Sequence, residues 1–186
     1  MDKKTCGTFF ENFVTTGYCH TNDIGFSASS YYENTYQHID FNLQRPLERD
    51  SWTIDVKAPK RMCRGDDEFT RNVLLEFTGC SGHPGWLRGK ADRIGFYLPN
   101  EDDDGFELWV FERKDLLDYV VSLPGNPYTP QHYTCTPPTG KWLQRATALD
   151  SFIWVPIEVL KEAVPHWSVS DVTDVVTTEL KSFLPS

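Results

Sequence analysis

No stretch of this chain comes near the roughly 18 consecutive apolar residues that a membrane-spanning helix needs, so no membrane partner is expected. The opening run "MDKKTCGTFFENF" carries lysines, but Glu11 and Asn12 break it before it resembles the apolar part of a secretory leader. Internal repeats and low-complexity segments are missing, which argues against solenoids and disordered tails. Cysteine is sparse and odd in number. Cys6, Cys19, Cys63, Cys80 and Cys135 are scattered through a chain long enough to build a core without staples, so reduced thiols in a cytoplasmic setting are expected. Positive charge is short as well. With 18 Lys and Arg against 27 Asp and Glu, the formal net charge is −9, which argues against a protein that coats nucleic acid through a broad basic surface. A nucleophile elbow, a phosphate loop and a dinucleotide fingerprint are all absent.

What remains reads as one domain over 1–186, of 39% hydrophobic and 14% aromatic residues. Residues 5–16 have helical periodicity, with Cys6, Phe9, Phe10, Phe13 and Val14 on one arc and Glu11 at its edge. Residues 19–36 are polar, and "SASSYYENTY" reads as a loop. "HIDFNL" and "WTIDVK" alternate apolar and polar residues and predict two strands around the polar loop "QRPLERDS". "VLLEF" predicts a third strand, followed by the glycine-rich "TGCSGHPGWLRGKAD" with a short helical turn. "IGFYL" and "FELWVFER" predict a second hairpin around "PNEDDDG", and residues 114–123 a helix. A proline-rich excursion covers about 124–145. "SFIWVPI" predicts a last strand, and "VSDVTDVVTTELKSFL" an amphipathic helix with Val172, Val176, Leu180 and Phe183 in register. The fold class is therefore α/β: a mixed central β-sheet flanked by helices.

The first two runs hold the chemistry. Pairing Leu43 with Trp52 in an antiparallel hairpin puts Asp40 opposite Asp55 and His38 opposite Lys57. The two aspartates would then have Cβ atoms roughly 4.5–5.5 Å apart, an arrangement that is destabilising for bare like charges. A divalent cation removes that repulsion. Two carboxylates and the Val56 carbonyl make a hard-oxygen site suited to Mg²⁺, with Mn²⁺ as a substitute. Lys57 follows Asp55 by two residues, points to the same side, and can polarise a water or steady the charge of an attacked phosphate. The competing reading is a polar strand face in solvent.

Glu11, "HID" at Asp40 and "IDVK" at Asp55 and Lys57, in that order, resemble the PD-(D/E)XK nuclease superfamily. "LLEF", "GHPGWLRGKADRIGFYL", "FERKDLLDYV" and "FIWVPIEVL" are similar to its small phage-type members, so that the likeness covers roughly residues 5–161. Ile39 stands where the pattern has proline, and Asp55 where Glu is commoner. The resemblance implies a restriction-endonuclease-like core and Mg²⁺-dependent hydrolysis of a DNA phosphodiester, as an endonuclease. Asp40, Asp55 and the Val56 carbonyl would hold the metal, Glu11 would join them directly or through water, and Lys57 would position the attacking water. DNA is then the partner, with a homodimer and a protein partner in DNA processing compatible, in the host cytoplasm if the chain is phage-encoded.

Weaker signals surround this set. Glu76 and His38 are candidates for a supporting role, or surface polarity. Lys60, Arg61, Arg64, Arg88 and Lys90 offer a local basic patch for phosphates, or a solvated loop. Trp86 can stack on a base or plug the core. "NEDDDG" fails as a calcium loop, since its twelfth position is Phe111. Cys80 with His83 and His132 with Cys135 form two loop pairs that would need to meet to bind zinc. The alternative to an enzyme is a catalytically silent nuclease fold, or an acidic DNA mimic that binds a DNA-processing protein; the charge of −9 favours it, and the intact carboxylate–lysine set does not.

Overall fold

The computed structural model describes residues 19, 24–45, 50–57, 71–79, 82–99, 106–123, 143–144 and 151–170. The helix expected at 5–16, Glu11 included, lies outside them. In chain order the strands are β1 (Gly25–Ala28), β2 (Phe41–Gln44), β3 (Ser51–Lys57), β4 (Asn72–Thr78), β5 (Arg93–Pro99), β6 (Phe106–Glu112), β7 (Leu143–Gln144), β8 (Ser151–Pro156) and β9 (His166–Ser170). Among the described residues two α-helices, α1 (Arg113–Ser122) and α2 (Ile157–Ala163), accompany a π-helical turn at Glu33–Gln37 and a 3₁₀ turn at Trp86–Arg88. The chain is mixed α/β. No described helix is long and apolar enough to cross a membrane.

Six strands form one sheet in the order β1-β2-β3-β5-β6-β9, and three form another in the order β4-β8-β7. Every neighbouring pair is antiparallel except β3 and β5. A parallel neighbour requires a crossover connection, and here the crossover runs through β4 and the 3₁₀ turn. The expected hairpin register is present: Leu43 pairs with Trp52 and Phe41 with Ile54. The second expected hairpin is present as β5 and β6.

The large sheet is buried on both faces. One face, with Ile94, Phe96 and Leu98 of β5 and Trp109 and Phe111 of β6, packs on β4, β8 and both helices. The other gathers Phe41, Leu43, Ile54, Val56, Tyr97, Leu108 and Val110 with Cys19 and Ile24. Double burial explains why β5 is apolar almost throughout rather than alternating. Each large side chain enclosed this way contributes about 1.5–3 kcal/mol. Arg71 ties the two sheets: its guanidinium donates to the Pro99 carbonyl (2.5 Å) and meets Glu107 (2.7 Å) and Glu158 (2.6 Å). Helix α1 buries Leu116 and Val120, one turn apart, and places Asp115 in its first turn, where a negative charge suits the helix dipole.

Four expectations are corrected. The polar stretch 19–36 is not all loop, because β1 pairs along the whole of β2 and a helical turn follows. Glycine and serine in "GFSA" hid the strand; its burial comes from none of its own side chains but its ladder is complete. The 124–145 excursion contains β7, which adds to β8. The strand expected over "SFIWVPI" stops at Pro156, because Ile157 opens a helix that runs to Ala163. The helix expected at 169–184 is preempted at its start, where Val169 and Ser170 belong to β9 and pair with Leu108 and Glu107 of β6; the remainder lies outside the described residues.

Candidate metal and catalytic site

β3 delivers the two central side chains. Its residues alternate between faces, so Asp55 and Lys57 project together, and Lys57 Nζ lies 2.5 Å from Asp55 Oδ1. Lys57 also stands over the ring of Trp86, 5.4 Å from its centroid. Trp86 is 3% exposed and packs edge-on against Phe96, so it plugs the core and roofs the lysine rather than offering a face to a base.

Asp55 is 2% exposed, the single buried charged residue among those described. Its Oδ2 is enclosed and finds no hydrogen-bond donor. Burial drives its carboxyl well above the usual Asp range; Lys57 pulls it back and the Asp40 carboxylate beside it pushes it further up. An enclosed carboxylate oxygen that meets no donor, beside a second carboxylate, can share a proton or a cation.

Asp40 reaches that position by a route the alternating pattern does not contain. β2 begins only at Phe41. The Asp40 N–H donates to the Ile54 carbonyl (2.9 Å), out of step with the pairing of Phe41 and Ile54, and Ile39 packs in the opposite core from Phe41 and Leu43. The ladder is therefore irregular at Asp40. The carboxylate does not stand across from Asp55 in the ladder, as the symmetric hairpin predicted. Its Oδ2 accepts the Val56 N–H (2.7 Å), and its Oδ1 accepts the Asn34 side chain (2.6 Å). Ser29 holds the same segment, donating its N–H to the Asp40 carbonyl (2.9 Å) and its hydroxyl to the Ile39 carbonyl.

Backbone groups of β3 alternate in direction. Asp92 donates to the Thr53 carbonyl on the β5 side, whereas Ile54 and Val56 turn theirs toward β2. The Val56 carbonyl thus lies on the Asp40 edge of the strand, as the metal reading requires. Among the described residues, no group of three His, Cys, Asp or Glu side chains is arranged to hold a metal ion. Glu11, the third carboxylate of the expected set, lies outside them. The described donor set is two carboxylates and one carbonyl, all hard oxygens, with one carboxylate oxygen enclosed and unsatisfied. That set fits Mg²⁺ or Mn²⁺ and offers nothing soft.

His38 is not paired with Lys57 in the ladder. It takes a left-handed backbone conformation (φ 54°) as the chain leaves the π-helical turn, and its Nε2 lies 3.3 Å from the Pro84 carbonyl. Burial, and then the Lys57 charge, hold its pKa below the ordinary histidine value, against the Pro84 carbonyl, Glu76 and Asp40. Glu76 approaches from the other sheet, since β4 pairs with β8 and not with β3. Arg88 and Lys90 are exposed, Arg88 over the ring of Phe77 (5.0 Å) and Lys90 bound through its N–H to the Gln37 carbonyl (2.7 Å). Lys60, Arg61 and Arg64 lie outside the described residues. So do Cys80, His132 and Cys135, while His83 is exposed.

Sequence reasoning missed Asn34 and Ser29 as supports of Asp40. A signal was present: Ser30-x-x-Glu33 is a capping-box pattern, and the two residues bond reciprocally in the structure. No family model, curated protein or solved structure matches the chain.

Proposed function

We propose that the chain is a Mg²⁺-dependent DNA nuclease, Mn²⁺ serving in its place, with a restriction-endonuclease-like core. The observation that carries this reading is the buried Asp55, whose Oδ2 meets no donor while Asp40 and Lys57 flank it. A surface-charge pair has no reason to be enclosed, and removing a carboxylate from water without full compensation costs several kcal/mol. Sites that hold such a charge are where function concentrates.

Asp40, Asp55 and the Val56 carbonyl would hold the cation, joined by Glu11. Bound there, it would supply positive charge to an attacked phosphate and ease the deprotonation of water. Lys57 orients the attacking water or balances the charge on the phosphate, since its ammonium is held by Asp55 and roofed by Trp86. Asn34 and Ser29 position Asp40. His38 and Glu76, both partly exposed, adjoin the site, where His38 feels the charges of Lys57, Glu76 and Asp40. Lys90 and Arg88, both exposed, would serve as phosphate contacts.

The test is cleavage of plasmid, linear duplex and single-stranded DNA in Mg²⁺, Mn²⁺ or EDTA, with Asp55→Asn and Lys57→Ala beside wild type. Metal-dependent cutting that both variants lose supports the enzyme. Folded protein that cuts nothing moves the reading to a silent nuclease fold that binds a DNA-processing protein, which the net charge of −9 favours.

A further inference from the structure

Three tyrosines stand in solvent within six residues of one another. Tyr31 is 80% exposed, Tyr32 60% and Tyr36 68%. The rings of Tyr32 and Tyr36 lie 5.3 Å apart, tilted by 37°. The π-helical turn that carries Tyr36 buries none of its residues, so these rings do no packing work for the fold.

The turn is nevertheless held at both ends. At its start, Glu33 Oε2 accepts both the N–H and the hydroxyl of Ser30 (2.8 and 2.7 Å), and the Asn34 N–H donates to the Ser30 carbonyl (3.0 Å). At its end, the Gln37 carbonyl accepts the Lys90 N–H, and the Ile39 N–H donates to the Glu33 carbonyl (3.2 Å). A fixed scaffold with its aromatic rings facing water is organised to bind something outside the chain. It also adjoins the candidate site. Asn34, between Tyr32 and Tyr36, donates directly to Asp40, and the exposed Lys90 sits at the other end of the turn.

We propose that the Tyr31–Tyr36 turn is a stacking platform for unpaired bases of single-stranded DNA, placed to pass the adjoining phosphate by Lys90 to Asp40, Asp55 and Lys57. The choice of DNA as the ligand rests on the nuclease reading, and the exposed tyrosines and their link to Asp40 through Asn34 stand on the geometry. The chemistry of stacking selects single strands over duplex. Bases in a duplex have their faces occupied by one another, and only unpaired bases can lie on a tyrosine ring. The net charge of −9 opposes any nucleic-acid backbone, so affinity has to come from stacking, with a local cation such as Lys90 in support.

The experiment is fluorescence anisotropy of a labelled single-stranded oligonucleotide and of its duplex, in EDTA, which leaves stacking intact. Wild type is compared with the Tyr32→Ala/Tyr36→Ala and Tyr32→Phe/Tyr36→Phe pairs, with melting curves to show that all are folded. Single strands should bind more tightly than duplex. The alanine pair should weaken single-strand binding at least about tenfold, and the phenylalanine pair should retain it, since stacking needs the ring and not the hydroxyl. Equal binding of duplex and single strand by wild type, or an alanine pair that binds as wild type does, overturns the platform. A mere loss of structure would lower both substrates' binding together and show in the melting curve, and that result also counts against the proposal. Cleavage measured in parallel separates the two readings. Tyrosine-dependent binding without cutting sinks the nuclease and keeps the platform, whereas cutting that is indifferent to both pairs keeps the nuclease and sinks the platform.

Discussion

Asp40 accepts the backbone N–H of Val56 on its Oδ2, 2.7 Å away, across an irregular end of the β2–β3 ladder. One carboxylate therefore replaces a ladder hydrogen bond of β3 and also sits beside the buried Asp55. The strand that carries the Asp-x-Lys pair and the residue that completes its site are fastened to each other by the same atoms that would hold a cation.

Replacing Asp40 should then cost stability even without metal. Asp40→Ala leaves the Val56 N–H unsatisfied next to the core, and the expected loss is about 1–3 kcal/mol. Asp40→Asn keeps an acceptor for that N–H and should lose less than half as much, while losing the response to Mg²⁺ as fully as alanine does. Urea denaturation with and without Mg²⁺ checks both. Equal stability of Asp40→Ala and wild type would contradict the bond.

Asp55 sets the pH dependence. Its folded-state pKa is raised above the ordinary 3.8, chiefly by burial. A raised pKa means that folding favours the neutral form, so this stabilisation is present below 3.8 and is lost as pH climbs through the folded value. Metal-free wild type should accordingly lose stability relative to Asp55→Asn as pH rises, because the amide never ionises. A Mg²⁺ ion held as proposed would bind the ionised form, so it should restore wild type at high pH and do little for Asp55→Asn; saturation at a hundredfold excess over Kd corresponds to about 2.7 kcal/mol. Denaturation midpoints taken in steps from about pH 3.5 to about pH 8 decide this. A wild type whose stability relative to Asp55→Asn is flat across that range removes the buried carboxylate from the account.

Gly89 couples the 3₁₀ turn to the site. A Cβ there would come 2.8 Å from the Gln37 carbonyl oxygen and 2.9 Å from both the His38 Cβ and the Trp86 carbonyl oxygen. Two of those three atoms are backbone, and neither can swing aside. Gly89→Ala should cost about 1–3 kcal/mol and, by displacing His38 and Asp40, reduce any cleavage further than the stability loss explains. Gly25→Ala is the control. Its Cβ would meet only the Gln44 carbonyl oxygen, at an ordinary 3.5 Å, so it should change stability by under about 0.5 kcal/mol. Similar melting shifts for the two variants would show that the close approach at Gly89 is relieved elsewhere.

By itself the sequence determined what period and apolarity encode. Alternation in "HIDFNL" and "WTIDVK" set the hairpin register, with Leu43 against Trp52, because a slip of one residue would turn Phe41, Leu43, Ile54 and Val56 out of the core. It likewise determined β5 by its continuous apolar run, and β6 and α1 by apolar positions at strand or helix spacing, and it put Asp55 and Lys57 on one side of one strand. Tertiary structure decided the rest. Glu76 lies on a strand that the sequence predicted, yet β4 joins the second sheet, because strand partners are chosen by non-local packing that no local pattern records. Ile39 and Phe41 fall in opposite cores since the Asp40 carboxylate competes with the ladder for the Val56 N–H, and that competition exists only once both strands are in place. The exposed tyrosine turn was hidden for the same reason: its hydrogen bonds come from Ser30, Lys90 and Asp40, and all three partners lie outside the turn.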